Sequence, residues 1–278
     1  MNGPANLDRA TVEGFGDEWT RFDQTELTED ERAVIFDAYF SDFPWSSLPP
    51  DPVGLDVGCG SGRWAVVVAP RVGHLLCVDA SPAAAAVARR TLTEAANTTV
   101  AVASVDRLPV PDASLDFAYS LGVLHHVPDT AAAIAACARA LKPGAPILLY
   151  LYYRFDNRPA WFQTVWACSD AIRRRVSRLP RNTRWAVSQV VALLVYLPLA
   201  RVARLGEAAG RNVESWPLSF YRDRSFYVMR TDALDRLGTQ LEQRFTRAEI
   251  TAMMTQAGLA NLRFREAAPY WTVVGTRV

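Results

Sequence analysis

The sequence predicts an α/β fold in which helices flank a mostly parallel sheet, with a helical insertion late in the chain. Between residues 51 and 154, short β-rich runs alternate with helical runs, which is typical of a parallel sheet. A Gly-x-Gly-x-Gly loop follows the first β-rich run directly. From 155 to 245 the pattern is mostly helical and the alternation is lost. We therefore predict an N-terminal segment (1–50), a core (51–154), an insertion (155–245) and a C-terminal part of the core (246–278).

Five strands are predicted in the core, at VGLDV, HLLCVD, TTVAVAS, LDFAYS and APILLYLYY, and two more at NLRFREA and WTVVGTRV. Helix start signals stand between them. Ser81 before Pro82 begins a helix after the second strand, and Asp129 begins one after the fourth. Capping-box pairs open two further helices, Thr28 with Glu31 and Thr246 with Glu249.

Composition narrows the classes of function. The formal charge of +1 gives no global basic field, so nucleic acid is not an expected partner. The four cysteines, Cys59, Cys77, Cys137 and Cys168, lack metal-binding spacing and are predicted to be reduced thiols, and no metal site is predicted. The N-terminal residues include early acids and no apolar run, which predicts neither a signal peptide nor an anchor. We therefore expect a cytoplasmic protein.

One segment tests that expectation. Residues 185–200, WAVSQVVALLVYLPLA, carry no charge, and residues 173–184 hold six arginines and no acid. The apolar run is shorter than a spanning helix usually needs, and Pro198 is expected to interrupt it. A basic run beside an apolar one is typical of an interfacial helix, so peripheral membrane contact through 173–200 is one hypothesis. The alternative is a helix buried on one side with a solvated arginine face.

The glycine loop, GLDVGCGSGRW, indicates a bound ligand at the end of the first strand. Glycines at 58, 60 and 62 bring bare backbone close to a ligand and tolerate positive φ. A dinucleotide fingerprint would need a glycine where Arg63 stands, and no GK[ST] follows for a phosphate loop. Asp79 ends the second strand, where a carboxylate reaches a ribose diol. These features fit a nucleoside ligand without a diphosphate.

Together, GLDVGCGSG and Asp79 resemble the first two motifs of the class I S-adenosylmethionine-dependent methyltransferases. The resemblance continues through VASVDRLPVPDASLDFAYSLGVLHHVPD and LKPGAPILLY, covering 53–151 closely and the C-terminal end loosely. It implies a Rossmann-like seven-stranded sheet of order 3-2-1-4-5-7-6 with an antiparallel last strand. It also implies S-adenosyl-L-methionine as cofactor.

The same resemblance implies a role for each matching residue. It implies that Asp56 orders the glycine turn and that the backbone of Gly58, Gly60 and Gly62 lies along the methionine and ribose part of the cofactor. It implies that Asp79 binds the ribose hydroxyls and that Asp106 lies beside the adenine amino group. Ser120 and Leu121 would flank the methionine moiety. Two alternatives stay open. Asp79 can serve as a helix-capping acid ahead of Ser81, and Asp106 as a turn acid.

Methyl transfer from a sulfonium needs alignment of the acceptor and exclusion of water. A hydroxyl or a carbon acid as acceptor also needs a base. His125 and His126 follow strand four, near the position of the reacting methyl in the family, and one of them is predicted to be that base; the alternative is that they fix the loop. Phe15 and Trp19 are predicted to form a lid, or else to pack on the sheet edge.

The far end of the insertion, SWPLSFYRDRSFYVMRTDALDR, mixes aromatic and basic residues. Its predicted acceptor-binding residues are Tyr221, Arg222, Arg224, Tyr227 and Arg230. Guanidinium groups grip carboxylates or phosphates with paired hydrogen bonds, and aromatic faces hold an apolar body. This predicts a small-molecule acceptor with an anionic head and an apolar body, such as an isoprenoid diphosphate or an acidic aromatic metabolite. Alternatively, these arginines pair with Asp223, Asp232 and Asp235 on a solvated surface while the aromatic residues pack inward.

Two other functions stay open at the level of sequence. The arginines between 173 and 184 would suit an RNA methyltransferase. A protein that binds the cofactor without transferring a methyl group would use the same glycine loop and the same acids.

Overall fold

The computed structural model describes residues 6–155, 159–267 and 271–278. The chain forms two compact units. The first, the core unit, comprises 1–24, 32–158 and 241–278; the second, the insertion unit, comprises 25–31 and 159–240. The insertion unit is thus slightly shorter than the predicted 155–245, because residues 241–245 are bonded to the core. Gln243 N–H donates to the His125 carbonyl and Phe245 N–H to the Tyr152 carbonyl.

A seven-stranded sheet of order β3-β2-β1-β4-β5-β7-β6 forms the centre of the core unit, which confirms the predicted fold class. The strands are β1 (Val53–Val57), β2 (His74–Asp79), β3 (Thr98–Val102), β4 (Phe117–Leu121), β5 (Pro146–Tyr150), β6 (Leu259–Phe264) and β7 (Thr272–Arg277). The first five pair in parallel, and β7 is antiparallel to both β5 and β6. The parallel strands place their carboxyl ends at one edge, where ligands bind in open α/β sheets.

Helices cover the sheet. Those of the core sequence are α1 (Arg9–Arg21), α2 (Glu29–Phe40), α3 (Ala65–Val68), α4 (Pro82–Thr91), α5 (Thr130–Ala140) and α10 (Arg247–Gln256). Ile134 of α5 and Met254 of α10 are buried with Leu55, Ile147 and Val273 of the sheet in one apolar core. Central strands are buried along almost their whole length because a parallel sheet has helices on both faces.

The predicted helix starts are confirmed by their caps. Ser81 accepts from Ala84 N–H and Asp129 from Ala132 N–H. The Thr246 and Glu249 capping box is complete, and the Thr28 hydroxyl accepts from Glu31 N–H at 3.2 Å. A cap that the sequence analysis missed, Asp8, accepts from Thr11 N–H at 2.8 Å and begins α1. Each such cap satisfies a backbone donor that has no partner within its helix.

The insertion unit is helical, as predicted. It contains α6 (Ala160–Val176), α7 (Arg181–Val191), a π-helical turn (Ala192–Tyr196), α8 (Leu197–Ala208) and α9 (Phe226–Gly238). Ala192, Tyr196 and Ala200 pack against Met229 and Ala233 of α9. The segment from 173 to 184 is not simply a solvated arginine face, since Arg173 and Arg184 are buried.

Those two arginines bind the carboxyl end of α9. Arg173 donates to the Asp170 carboxylate and the Thr239 carbonyl, each at 2.7 Å. Arg184 donates to the Gly238 carbonyl at 3.2 Å. A cation at this position is favourable because the last carbonyls of a helix lack partners and carry partial negative charge. The arginines therefore help to hold the insertion unit together.

The expectation that Pro198 interrupts the apolar run is wrong. Residues 181–208 form one continuous helix, with Pro198 in the first turn of α8. Proline lacks the N–H that donates back along a helix and crowds the preceding turn. Here the wider π-helical turn lies just ahead of it and accommodates the ring. Among the described residues, this helix is the one long and apolar enough to cross a membrane, and 22% of its most apolar window is buried.

Candidate cofactor-binding site

The glycine loop turns sharply after β1. Gly58, Gly60 and Gly62 have φ of +77°, +54° and +79°, the left-handed region that disfavours other residues. Gly58 N–H donates to the Val78 carbonyl at 2.7 Å. A Cβ on Gly58 would lie 2.4 Å from the Val123 side chain. The loop therefore needs glycine at position 58 for both its backbone angle and its close packing.

Asp79 binds the loop from the end of β2. One carboxylate oxygen accepts from Gly60 N–H at 3.0 Å and the other from Ser81 N–H at 2.8 Å. Burial raises the pKa of Asp79, and these two N–H donors lower it. Since a carboxylate has about four acceptor positions, the two that remain are available to hydroxyl donors. Asp79 thus has a structural role at the loop that is compatible with the implied ribose contact.

Asp56, on β1, is buried and accepts from the Tyr119 hydroxyl of β4 at 2.9 Å. Burial raises the pKa of Asp56 to about 7, although the Tyr119 hydrogen bond lowers it. The structure thus shows a contact from Asp56 to the neighbouring strand. The implied role of Asp56 in ordering the glycine turn stays a prediction.

The other implied cofactor residues lie at the same edge of the sheet. Ser120, at the end of β4, is buried and donates to the Val57 carbonyl at 2.9 Å. Asp106 lies in a turn after β3 and accepts from the Ser104 hydroxyl. Burial acts to raise its pKa, but the Ser104 hydroxyl and neighbouring N–H donors together hold the pKa of Asp106 below its usual value.

A cavity of about 110 Å³ lies at this edge, between α1 and the ends of β1, β2 and β4. The predicted residues that line it are Phe15, Trp19, Gly58, Asp79, Leu121 and His126. Ser104 and Val105 also line it, next to Asp106. Pockets for ligands of cofactor size are about 300–1,000 Å³. The cavity lies where the cofactor is implied, and it must enlarge to admit an adenosine group.

Helix α1 forms one wall of the cavity. The Trp19 ring packs on Gly60, where a Cβ would lie 2.8 Å from it, and the Arg63 guanidinium lies 5.2 Å from its ring centroid. The Phe15 ring lies 5.0 Å from the His126 ring. Both aromatic residues predicted to form a lid therefore face the cavity. Arg63, at the position where a dinucleotide fingerprint has glycine, supports the Trp19 side of that wall.

Two contacts that no local sequence pattern indicates hold α1 over the cavity. Asn6 donates to the Asp129 carbonyl at 2.7 Å and accepts from Asp129 N–H at 2.8 Å. The Thr11 hydroxyl accepts from Leu241 N–H at 3.1 Å. Both connect the N-terminal segment to residues far along the chain, so no local pattern could reveal them. They fix α1 beside the loop that carries the two histidines.

The histidine pair follows β4, and its members differ. His126 lines the cavity, and its Nδ1 lies 2.7 Å from the Leu241 carbonyl. Because a carbonyl only accepts, Nδ1 carries the proton, and Nε2 of the neutral ring has the lone pair. His125 is fully buried and stacks on Tyr152 with ring centroids 3.9 Å apart. Burial lowers the pKa of His125 well below its usual value, and His126 and Arg244 lower it further.

The predicted acceptor residues lie in the insertion unit and have partners there. Arg222 donates to Glu207 at 2.8 Å and lies 3.6 Å from Asp223. The Tyr221 hydroxyl donates to Asp232 at 2.8 Å, and Arg230 to Gln189 at 2.5 Å.

The remaining two acceptor residues are placed similarly. Arg224 stacks on Phe220, 5.3 Å from the ring centroid, and Tyr227 is buried. Arg222 lies near Asp223, as the alternative predicts, whereas the printed contact of Asp232 is with Tyr221, and the acceptor role of all five residues stays a prediction. Among the described residues, no group of three or more His, Cys, Asp or Glu is placed to hold a metal ion.

Part of the chain is similar to known methyltransferases. Residues 55–149 match the family described as "Methyltransferase domain". Ubiquinone biosynthesis O-methyltransferase of Hahella chejuensis is 38% identical over 104 residues, 37% of this chain and 43% of that protein. The enzyme of the same name from Xanthomonas oryzae is 35% identical over 131 residues, 46% of this chain and 52% of that protein. The chain thus spans about half the length of the curated relatives it matches.

Solved structures agree on the fold. A chain from a Haloferax volcanii complex containing the Trm112 methyltransferase activator has a TM-score of 0.52 at 15% identity, over 94% of this chain and 96% of that chain. At this identity the likeness supports the fold alone. The sheet order, the glycine loop with Asp79 and the family match together identify residues 55–149 as a methyltransferase domain. The observed sheet order is the one that the resemblance to class I methyltransferases implies.

Proposed function

We propose that this protein is an S-adenosylmethionine-dependent methyltransferase that acts on a hydroxyl group of a small molecule with an apolar body. The observation that carries the proposal is the glycine loop bound by Asp79, beside a cavity that His126 also lines. The names of the relatives from Hahella chejuensis and Xanthomonas oryzae support oxygen as the methylated atom.

Named residues would hold the cofactor. The Gly58–Gly62 backbone would lie along its methionine and ribose part, and Asp79 would accept from the ribose hydroxyls. Ser104, Val105 and Asp106 would border the adenine. The bound cofactor supplies an electrophilic methyl group. Phe15 and Trp19 would exclude water from it, since α1 already covers the cavity.

His126 is the better placed of the two histidines to act as general base. It lines the cavity, and the Leu241 carbonyl holds its Nδ1 proton, which leaves Nε2 to accept a proton from an acceptor hydroxyl. His125 is buried behind it and holds no place on the cavity wall. We therefore assign His125 to positioning, through its ring contacts with His126 and Tyr152.

The proposed acceptor class, with an anionic head and an apolar body, is the one that the sequence predicts. Tyr221, Arg222, Arg224, Tyr227 and Arg230 remain our candidates for the anionic head of the acceptor. Their present partners are weak competitors where they are exposed, as for Arg222 with Glu207, since solvent screens exposed ion pairs. We expect the alanine variants of Arg222, Arg224 and Arg230 to raise KM for the acceptor without changing cofactor affinity.

Transfer of a labelled methyl group tests the proposal. Purified protein is incubated with methyl-labelled S-adenosylmethionine and a panel of phenols, amines and carboxylates, each with and without an isoprenoid chain. We expect labelled methyl ethers of phenols and no label on amines. Calorimetric binding of the cofactor with no transfer to any member of the panel would favour a binding protein. Labelling of added RNA instead would favour an RNA methyltransferase, the alternative that the arginines between 173 and 184 would suit.

A further inference from the structure

The insertion unit carries a long apolar face that its own core does not cover. Seven large apolar side chains between Val190 and Leu205 are 39% to 70% exposed, with Leu194 and Leu205 the most exposed at 67% and 70%. From residue 184 to residue 203, every exposed position of this helix is apolar. Isolated exposed apolar residues are ordinary, but a contiguous face of this length marks an interaction surface.

The opposite face of the same helix is packed inward. Ala192, Tyr196 and Ala200 are buried against Met229 and Ala233 of α9. A helix that crossed a membrane alone would have to leave this core and expose it. A helix that lies in the plane of a membrane interface keeps the inner face packed while the outer face enters the lipid. The length and composition of this helix would suit a membrane span, but its packed inner face favours a helix that lies in the plane of the membrane.

Positive charge stands at the start of this face. Between residues 160 and 208 there are eight arginines and two acids, Asp170 and Glu207. Asp170 is bound by Arg173 and Arg174, and Glu207 is bound by Arg222. Arg175 and Arg178, next to the helix start, are exposed. Such a group attracts the anionic surface of a bilayer.

A second copy of the chain would fit this face less well than a lipid surface does. A helix strip about 30 Å long and about 10 Å wide presents roughly 300 Å², whereas a stable protein interface buries about 800 Å² on each partner. A lipid surface needs no such shape match, because its affinity grows with the apolar side chains inserted and with the charge attracted.

We propose that the helix at residues 181–208 docks the protein on an anionic lipid membrane, its exposed apolar side chains entering the interface and the arginines before it facing the lipid head groups. The inference does not depend on methyl transfer. If the proposed function also holds, docking would bring the protein to acceptors that carry an apolar chain.

Vesicle flotation tests this docking. The whole protein is mixed with vesicles of phosphatidylcholine alone or of phosphatidylcholine with phosphatidylglycerol. We expect it to float with the anionic vesicles, less so at high salt. The double variant Leu194→Glu/Leu205→Glu should partition at least roughly tenfold more weakly, since each leucine loses most of its transfer free energy. The matched control is Val34→Glu on α2, a residue 56% exposed, which should float like wild type.

Charge reversal separates the electrostatic part. Arg175→Glu/Arg178→Glu should weaken binding to the anionic vesicles by roughly 30-fold or more, since each arginine near such a surface contributes about 1 kcal/mol, and leave binding to neutral vesicles unchanged. Three results would overturn the proposal: wild type that floats with neither vesicle, a leucine double variant that floats like wild type, or a stable dimer in sedimentation that the leucine variant converts to monomer. Circular dichroism of each variant confirms that it is folded.

Discussion

The core unit and the insertion unit differ in what determines the contacts of their side chains. In the core unit, apolar strands lie between helices, and the glycines and acids of the site stand at strand ends, where the topology places them together. In the insertion unit, Tyr221 and Arg222 bind acids of the same unit, and a long apolar face is exposed. The comparison teaches that a motif is informative when backbone geometry requires it. Composition alone, as in a group of arginines and tyrosines, does not say what the side chains contact.

The largest effect is expected when a side chain is placed in the glycine loop. Gly58→Ala puts a Cβ 2.4 Å from Val123 at a φ of +77°, and we expect it to abolish cofactor binding in calorimetry. Gly144→Ala is the matched control, because its φ is +82° and nothing lies within 4 Å of the added Cβ. It should cost about 1–2 kcal/mol of stability from the backbone angle alone and leave cofactor affinity intact. Equal affinity in both variants would show that the loop does not contact the cofactor.

A second test concerns the histidine on the cavity wall. His126→Gln should lower kcat for a phenolic acceptor by about 10²-fold or more, the usual contribution of a general base, while the Kd for the cofactor stays within error. His125→Gln is the comparison, since that residue is placed to position its neighbour and not to take the proton. The pH profile of kcat separates them: the limb that falls at low pH should disappear only in the His126 variant. If it persists there, another group is the base.

The contact of α1 with α4 offers a finer test of the lid. Gly16 packs so closely that a Cβ would lie 2.5 Å from the Ser81 hydroxyl oxygen. Gly16→Val should displace α1 and raise the Kd for the cofactor about tenfold, the usual cost of overpacking. Glu13→Val, at an exposed position of the same helix, controls for the helix propensity of valine. Unchanged affinity in both would mean that α1 packs on the sheet edge without serving the cavity.

The smallest expected effect is on how the stability of the folded chain depends on pH. Burial depresses the pKa of His125 in the folded state, so the unfolded chain binds a proton below about pH 6.5 that the folded chain does not. Stability should therefore fall as pH decreases through that value. His125→Phe removes the titration and keeps the ring contact with Tyr152, so its Tm should fall less than that of wild type between pH 8 and pH 5.5. Parallel Tm curves would contradict this account.

Much of the core unit could be predicted because local rules are strong there. The bounds of β1 and β2 matched the predicted runs residue for residue, and Ser81, Asp129 and Thr246 cap helices as expected. Such signals depend on a few neighbouring residues and on which backbone donors need partners. The strand order came from the resemblance to a family, and the observed order agrees with it.

What could not be predicted depends on contacts between distant parts of the sequence. Asn6 with Asp129 and Thr11 with Leu241 join segments more than a hundred residues apart. A contact of this kind, between His126 and Leu241, also sets the role of His126 on the cavity wall apart from that of His125. In the insertion, Pro198 continues a helix because a wider π-helical turn precedes it, and no local sequence pattern predicts that turn. The partners of Arg222 and Arg230 depend likewise on tertiary packing.

The central claim is that Asp79 and the glycine loop bind S-adenosylmethionine, and a calorimetric titration of Asp79→Asn tests it most directly. Asp116→Asn is the matched control, because the Asp116 carboxylate also accepts a backbone N–H, that of Val53 at 2.9 Å, and lies outside the cavity lining. We predict one site per chain in wild type and in Asp116→Asn. In Asp79→Asn, loss of a charged acceptor worth about 1.5–3 kcal/mol should weaken binding by roughly 10- to 150-fold. Wild-type affinity in the Asp79 variant would contradict the account.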